Sequence, residues 1–482
     1  MKKEVQPAKV NFFFGPGWKG LGLFISKFWS YNKEDIKKRT DKLESGKGIM
    51  SFRGARGLVS SITMILFGTL FFALITASVS VVLSVAFLIA YAFIMLIWFT
   101  DRIHLLRKGI FVACPNCKSK YLIPIYICPK CGAKHTKLTP GKYGVLYRTC
   151  NCGNKLPTHF FTGRGRLDAE CPVCAAALKA TANRPICVPV IGGRSSGKTA
   201  YITAFSYDFI EKTAPENGIE IQHYDEKTEE FYKTVICNDY MGGTTRMTKT
   251  ELDINQASSK AFSFIVHHEK VNPDRVIQIY DVAGESFVDN TENEAQLQYS
   301  YCHGIVFMLD PVSIPMIRNY MDEGVDKSSV GTLDVDLVLD SFLNKLRQIT
   351  GQSSTAVFNI PIAIVISKSD ISVIDKSIGD EKISEYMTKN NLGTDSFITA
   401  EDAVCRQFLC DNGLANFVNN IEMKFKNNRY FKCSSIGHTR ECGEYNPRGV
   451  LEPMEWIFQT ADNGMKAIWH EHTFGTTVRG EK

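Results

Sequence analysis

A glycine-rich stretch in the second half of the chain has the residue types that hold phosphate groups. Residues 192–199 read G-G-R-S-S-G-K-T, a complete G-x-x-x-x-G-K-T pattern. Glycines let backbone N–H groups turn toward phosphate oxygens, the lysine adds positive charge, and the final hydroxyl can ligate Mg²⁺. The candidate phosphate-binding residues are Gly192, Gly193, Arg194, Ser195, Ser196, Gly197, Lys198 and Thr199.

Such a loop requires a strand before it and a helix after it. Residues 185–191 are apolar and predict a buried strand, and residues 200–205 have a helical pattern. Further strands are predicted at 276–280, 304–309, 361–366 and 430–433, and helices at 336–349 and 403–423. This alternation predicts an α/β fold with a mostly parallel sheet that binds its ligand at the carboxyl ends of the strands.

Polar motifs follow three of these predicted strands. The strand at 276–280 leads into D-V-A-G, in which Asp281 is expected in the Mg²⁺ shell and Gly284 is expected to turn its N–H toward a terminal phosphate. The strand at 361–366 leads into S-K-S-D, and the strand at 430–433 leads into Ser434 and Ser435.

In this order the motifs resemble those of the TRAFAC-class GTPases, which include the Ras-like and translation-factor GTPases. The resemblance covers residues 185–470 and implies that D-V-A-G senses the γ-phosphate, S-K-S-D recognises guanine, and C-S-S-I closes over the base. The implied base-binding residues are Lys368, Asp370, Ser434 and Ser435. The assignment of Asp370 is chemically reasonable, because a carboxylate accepts hydrogen bonds from guanine N1–H and N2–H₂, which adenine cannot supply. Lys368 would lay its aliphatic stem along the base.

The chain departs from the family pattern at several positions. Ser367 stands where Asn or Thr is usual. A large insertion separates Lys198 from Asp281, so the Mg²⁺-binding threonine of switch I is one of Thr244, Thr245, Thr248 and Thr250. Glu285 occupies the position of the water-orienting glutamine, which predicts slow unaided hydrolysis. Arg194 could add charge to the phosphates, obstruct an arginine finger from a partner, or simply be solvated.

Eight cysteines between residues 114 and 174 have the spacing of zinc knuckles. Each short pair places two thiolates on one tight turn, and two turns complete a tetrahedral four-sulfur site. The predicted ligands are Cys114, Cys117, Cys128, Cys131, Cys150, Cys152, Cys171 and Cys174. Because every ligand is a thiolate, two structural Zn²⁺ ions in tandem ribbons are expected, with disulfides as the alternative.

Residues 57–100 contain no Lys, Arg, Asp, Glu or His. A single membrane span needs about 20 residues, so this run predicts a two-helix transmembrane hairpin that turns near residues 77–80. A buried hairpin in a soluble core is the alternative. Basic residues on both flanks, from Arg53 to Arg56 and from Arg102 to Lys108, predict that both termini and the nucleotide-binding domain are cytoplasmic.

Charge is divided unevenly along the 482 residues. Residues 1–186 carry 28 Lys and Arg against 8 Asp and Glu (28 − 8 = +20), and the remainder carries 28 against 42 (28 − 42 = −14). The basic half predicts contact with lipid headgroups or a protein rather than with nucleic acid. Apolar residues at 21, 24, 25 and 28 predict a helix that lies on the membrane or packs on the protein.

Four domains are predicted: a cytoplasmic basic amphipathic segment (1–56), a transmembrane hairpin (57–100), tandem zinc ribbons (111–178) and a P-loop GTPase domain (185–470). The chain is 44% apolar, which excludes a disordered protein. We therefore expect a membrane-anchored regulatory GTPase that binds GTP or GDP with Mg²⁺ and acts on an unidentified protein effector. A nucleotide-binding scaffold with little hydrolysis and an ATPase are the alternatives. The ribbons and the long insertion resemble the bacterial double-GTPase type more than Ras.

Overall fold

The computed structural model describes residues 9–44, 52–240, 261–282, 297–318, 335–353, 355–393, 396–437 and 445–469. Its α-helices are α1 (Pro16–Glu44), α2 (Phe52–Arg107), α3 (Lys198–Asp208), α4 (Ala214–Glu216), α5 (Glu226–Phe231), α6 (Pro315–Arg318), α7 (Val335–Thr350), α8 (Ser372–Ile378), α9 (Asp380–Lys389), α10 (Phe397–Leu409), α11 (Ala415–Lys424), α12 (Glu452–Ala461) and α13 (Asn463–Lys466). Its strands are β1 (Val112–Ala113), β2 (Lys120–Tyr121), β3 (Ile125–Ile127), β4 (Lys134–His135), β5 (Tyr147–Thr149), β6 (Lys155–Pro157), β7 (Ala169–Glu170), β8 (Ala177–Leu178), β9 (Arg184–Gly192), β10 (Glu220–His223), β11 (Ala261–His268), β12 (Val271–Asp281), β13 (Ile305–Leu309), β14 (Ile362–Ile366) and β15 (Asn428–Lys432).

The chain divides into two compact units that alternate along the sequence. Unit 1 comprises Met1–Arg107 and Ile125–Ala169, and unit 2 comprises Lys108–Pro124 and Glu170–Lys482. The segment predicted as tandem ribbons, residues 111–178, therefore contributes to both units.

A seven-stranded sheet in the described part of unit 2 has the order β10-β11-β12-β9-β13-β14-β15. The five strands from β12 to β15 in this order are parallel, whereas β11 pairs antiparallel with both of its neighbours, β10 and β12. The sheet is therefore mixed, because the two-residue link between β11 and β12 is too short for the crossover that parallel pairing needs. The predicted strands at 185–191, 276–280, 304–309, 361–366 and 430–433 all lie in the parallel part.

Helices cover both faces of this sheet. Along β13, Phe307 and Leu309 belong to one core cluster, whereas Met308 belongs to the other, as the two-residue period of a strand requires. Helices α7, α10 and α11 pack on the first face, and helices α3 and α12 pack on the second. Because β13 is buried on both sides, it is apolar at every position, as a parallel strand inside such a fold should be.

Strand β15 lies at the edge of the sheet. On its outer side, backbone N–H groups donate hydrogen bonds to carboxylates of α10. Backbone N–H groups of Tyr430 and Lys432 donate to Asp402 Oδ1 (2.8 Å) and Glu401 Oε1 (3.0 Å). Burial raises the pKa of Glu401 to about 8. These bonds fix the strand that leads into Ser434.

In unit 1, helix α2 runs without interruption over 56 residues, so the predicted transmembrane hairpin with a turn at 77–80 is wrong. The hydroxyls of Ser78 and Ser80 donate to Leu74 O (2.8 Å) and Thr76 O (2.6 Å) of the preceding turn. Their polar groups are thus satisfied inside the helix and require no turn. The prediction that both termini are cytoplasmic came from the basic flanks, and an even number of spans would have agreed with it. One continuous helix does not supply that even number.

The apolar part of α2 is the only candidate membrane span among the described residues. By length and composition, the segment Leu58–Arg107 could cross a membrane. Helix α1 packs antiparallel along part of it, with ring centroids 4.5 Å apart for Phe28 and Phe72 and 4.9 Å apart for Trp18 and Phe87. Part of the apolar side of α1 thus packs on the protein, whereas Phe24 on the same side is 47% exposed.

Candidate functional site

The glycine-rich loop lies between the end of β9 and the start of α3, as predicted. Gly192 has φ +150°, and a Cβ at this position would lie 2.2 Å from Met308 O on the neighbouring strand, so only glycine fits. The buried Lys198 Nζ donates to Gly192 O (3.1 Å) and Gly193 O (2.7 Å). The lysine is therefore folded against the loop that would surround the phosphates.

Two of the predicted Mg²⁺ ligands are in direct contact. Thr199 Oγ1 at the start of α3 donates to Asp281 Oδ2 at the end of β12 (2.6 Å). The parallel register pairs Asp281 with Val190, which brings this carboxylate level with the phosphate loop. A hydroxyl and a carboxylate oxygen are ligands that suit Mg²⁺. The predicted Gly284, Glu285 and four switch I threonines lie outside the described residues.

The predicted base-binding residues meet at the same edge of the sheet. Ser434 Oγ, after β15, donates to Asp370 Oδ1, after β14, at 2.5 Å. Ser367 is buried, and its hydroxyl donates to Leu309 O (3.1 Å), so a serine fills the position where Asn or Thr is usual without leaving a polar atom unsatisfied. Ser435 is buried beside Ser434. The structure thus brings together Lys198, Thr199 and Asp281 at one end of this edge and Asp370 and Ser434 at the other.

Comparison with known proteins agrees with this arrangement. Residues 186–416 match the family model described as Double-GTPase 2. This part of the chain has an α/β P-loop GTPase-like fold with a mixed sheet. No curated protein sequence matches the chain.

Solved GTPase structures resemble the chain only loosely. The Ski7 GTPase-like domain of S. cerevisiae, bound to GTP, is 12% identical over 61% of this chain and 52% of that chain, with a TM-score of 0.28. The G domain of the T. maritima FeoB iron transporter is 9% identical over 58% of this chain and 100% of that chain, with a TM-score of 0.23. The chain spans about half the length of the Ski7 structure.

One polar residue near the predicted base-binding residues was not predicted from the sequence. Asp310 follows β13 directly, and its Oδ2 lies 2.6 Å from Lys368 Nζ. The available signal was its position, because Asp310 directly follows the apolar strand β13, and Asp281 likewise stands at the carboxyl end of β12. Arg194 is exposed on the loop and lines a small cavity together with Asp310 and Ser313.

The eight predicted cysteine ligands form two four-sulfur clusters. The outer cluster joins the first and last pairs, and the inner cluster joins the two central pairs: Cys114, Cys117, Cys171 and Cys174, then Cys128, Cys131, Cys150 and Cys152. The pairing is therefore nested rather than tandem. Contacts of 3.5 to 3.7 Å between sulfur atoms are close to the edges of about 3.8 Å expected for a tetrahedron with Zn–S bonds of about 2.3 Å. Both clusters could bind Zn²⁺.

The outer cluster contacts the GTPase sheet within unit 2. Gln278 Nε2 on β12 donates to Ala113 O, next to the first cysteine (3.2 Å). Tyr301 OH donates to Lys118 O, next to the second cysteine (2.9 Å). Gln278 lies three residues before Asp281, so this cysteine turn contacts the same strand that carries the predicted Mg²⁺ ligand.

We expect the purified full-length protein to contain two Zn²⁺ ions per chain. The paired replacement Cys128→Ser with Cys150→Ser should remove one equivalent, and Cys114→Ser with Cys171→Ser should remove the other, because each cluster uses its own four thiolates. Elemental analysis in reducing buffer measures this, with Cys410→Ser as the control that keeps two ions. A wild-type content near zero would contradict the zinc assignment.

Proposed function

We propose that this chain is a membrane-anchored regulatory GTPase that binds GTP and GDP with Mg²⁺ and hydrolyses GTP slowly. The proposal rests on one observation: a candidate base-binding group and a candidate phosphate-binding group lie at the same edge of the sheet. Asp370, held by Ser434, supplies a carboxylate for guanine, and Lys198 lies on a complete phosphate loop. A guanine nucleotide is the ligand that needs both groups.

Each site residue then has a distinct role in binding. Lys198 places its charge on the β- and γ-phosphates, and Thr199 and Asp281 would hold Mg²⁺. Bound Mg²⁺ would neutralise part of the triphosphate charge. Gly284 would donate its N–H to the γ-phosphate, and Ser435 would lie beside the base.

Slow hydrolysis is proposed because Glu285 replaces the glutamine that orients the attacking water. A carboxylate repels the γ-phosphate, whereas a glutamine amide donates to it. A slow reaction suits a regulatory protein, since a partner can then set the lifetime of the GTP-bound state. The contacts of Gln278 and Tyr301 with the first cysteine turn support the ribbon as a route by which this state reaches an effector protein.

The membrane part of the proposal is supported by α2. An apolar segment of this length suits the lipid bilayer as its partner. The basic residues at its carboxyl end, Arg102, Arg107 and Lys108, favour the cytoplasmic side for the GTPase domain that follows.

Competition between nucleotides tests the proposal. The full-length protein in detergent should bind a fluorescent GTP analogue that GTP displaces far better than ATP does. Lys198→Ala should bind GTP about 100-fold less tightly, because a charged donor to the phosphates is worth about 3 kcal/mol at most. Lys212→Ala is the control, since this lysine is exposed and pairs with Asp208.

Two outcomes would contradict the proposal. Equal affinity for GTP and ATP would contradict guanine recognition and favour an ATPase as the function of this chain. Tight GTP binding without any hydrolysis over hours would favour a nucleotide-binding scaffold that does not act as an enzyme.

A further inference from the structure

An ion pair between Asp310 and Lys368 lies beside the proposed base site and has no role assigned to it so far. The carboxylate is almost completely buried, with 3% of its side chain exposed, whereas 31% of the Lys368 side chain is exposed. The second carboxylate oxygen of Asp310 accepts from Val312 N (3.0 Å). Because both oxygens have partners, the carboxylate is fixed, and it holds the lysine Nζ at 2.6 Å.

The backbone around Lys368 is held just as firmly. Lys368 has φ +56°, a left-handed conformation that a residue with a Cβ rarely adopts. On one side, the Ser367 N–H donates to Leu309 O at the end of β13 (2.9 Å). On the other side, the Ser369 N–H donates to Cys433 O after β15 (3.0 Å). A rare backbone conformation that is held from both sides indicates that the direction of the Lys368 side chain has a functional role.

The two side chains expected at the base are therefore anchored on opposite neighbours of β14. Asp370 is held by Ser434, after β15, and Lys368 is held by Asp310, after β13. Each anchor leaves part of the side chain for a ligand. Asp370 keeps Oδ2, and Lys368 keeps its four-carbon stem, because only the terminal nitrogen is used by the carboxylate.

We infer that Asp310 is a positioning residue for nucleotide binding: by holding Lys368 Nζ, it fixes the lysine stem as an apolar platform for the purine ring. This inference rests on the proposed guanine-nucleotide site. An unpaired lysine would lose rotamer freedom on binding, and its free ammonium would be attracted to the phosphates instead. The ion pair removes both costs before the nucleotide arrives.

Asp310→Asn tests the inference because it separates the two bonds of this side chain. The asparagine oxygen can still accept from Val312 N, whereas the charge that holds Lys368 is lost. We expect the affinity for GDP and GTP to fall about tenfold, which corresponds to 1.4 kcal/mol. The affinity for ITP should fall by the same factor, because the platform contacts the ring and not the N2 amino group.

A double-mutant cycle distinguishes positioning from a structural role. In a Lys368→Ala background, Asp310→Asn should have no further effect on nucleotide affinity, because the group that it positions is gone. Asp411→Asn, an exposed aspartate, is the control and should leave the affinity unchanged. Thermal unfolding of each variant checks that the fold is intact.

The outcomes separate this inference from the proposed function. If the wild-type protein prefers GTP over ATP but Asp310→Asn binds GTP equally well, the inference is overturned and the proposed function stands. If Asp310→Asn weakens binding equally with and without Lys368, the carboxylate acts on the fold and the inference is also overturned. A wild-type protein that binds no guanine nucleotide overturns both.

Discussion

Asp370→Asn is expected to weaken GTP binding by a factor of about 100 to 1000 and to give the protein a preference for XTP. The carboxylate accepts from guanine N1–H and N2–H₂, and each hydrogen bond to a charged group contributes about 1.5 to 3 kcal/mol. An asparagine amide presents a donor where the carboxylate presented an acceptor, so it leaves the guanine amino group unpaired. Xanthine carries a carbonyl at that position and accepts from the amide.

Ser434 makes this substitution informative. Its hydroxyl donates to Asp370 Oδ1, and an asparagine oxygen can accept the same bond, so the side chain should keep its position. The substitution therefore changes the chemistry of the base site without changing its shape. Lys198 and Thr199 are untouched, and the phosphates should be held as before.

Competition titrations with GTP, XTP and ATP measure the change of specificity. Asp375→Asn is the matched control, because Asp375 is exposed on α8, five residues further along the chain. Unchanged GTP affinity in Asp370→Asn would contradict the assignment of S-K-S-D to the base.

The second large effect is expected for Asp462→Ala, which should lower the free energy of unfolding of the GTPase domain by about 3 to 5 kcal/mol. The Asp462 side chain is fully buried and pairs with Arg275 through both oxygens (3.0 Å each) and with Arg184 (3.1 Å). It also accepts from the N–H groups of Gly464 and Met465 at the start of α13. Removal of the carboxylate leaves the buried Arg275 guanidinium without its counter-charge.

The effect should depend on pH in a defined direction. Burial alone would raise the pKa of Asp462, but the hydrogen bonds and charges of Arg275 and Arg184 outweigh it and lower the pKa. A lowered pKa stabilises the fold above the unfolded-state value of about 4 and ceases to do so as the pH falls through the folded value. The difference between wild type and Asp462→Ala should therefore shrink in acid.

Denaturant unfolding of the full-length protein in detergent, followed by hydrogen exchange of peptides from the GTPase domain, measures this loss. Glu385→Ala is the control, because its pair with Lys382 lies on an exposed helix surface and should contribute less than about 1 kcal/mol. A loss in Asp462→Ala no larger than in the control would show that the buried charges contribute little.

The sequence predicted those parts of the site that depend on neighbouring residues. A glycine-rich loop after an apolar strand and before a helix has a local cause, so the position of residues 192–199 between a strand and a helix could be predicted. Contacts between residues far apart in the chain have no such signal. Asp310 and Lys368 are 58 residues apart, and nothing in the sequence around either one indicates its partner.

The prediction of a transmembrane hairpin was wrong for a different reason. A run of 44 uncharged residues is long enough for two spans, and length alone favoured a turn. The turn was placed near residues 77–80, but in α2 the hydroxyls of Thr76, Ser78 and Ser80 donate to carbonyl groups of the preceding turn and the helix continues. The cysteines were predicted to pair in tandem, whereas the clusters are nested, because four pairs with similar spacing do not distinguish the two arrangements.

Because the cysteine pairing is nested, the inner cluster can form before the outer cluster while the chain is being translated. All four inner thiols are translated before Cys171, so the inner cluster can close while the outer one still lacks half of its ligands. The separations are 19 residues between Cys131 and Cys150 and 54 between Cys117 and Cys171, which makes closure of the outer loop about 0.9 kcal/mol more costly in entropy. Prior closure of the inner cluster shortens the free chain within that outer loop. The last outer ligand, Cys174, is also translated before β9, so the chain can complete both clusters before the nascent nucleotide-binding sheet has its first strand.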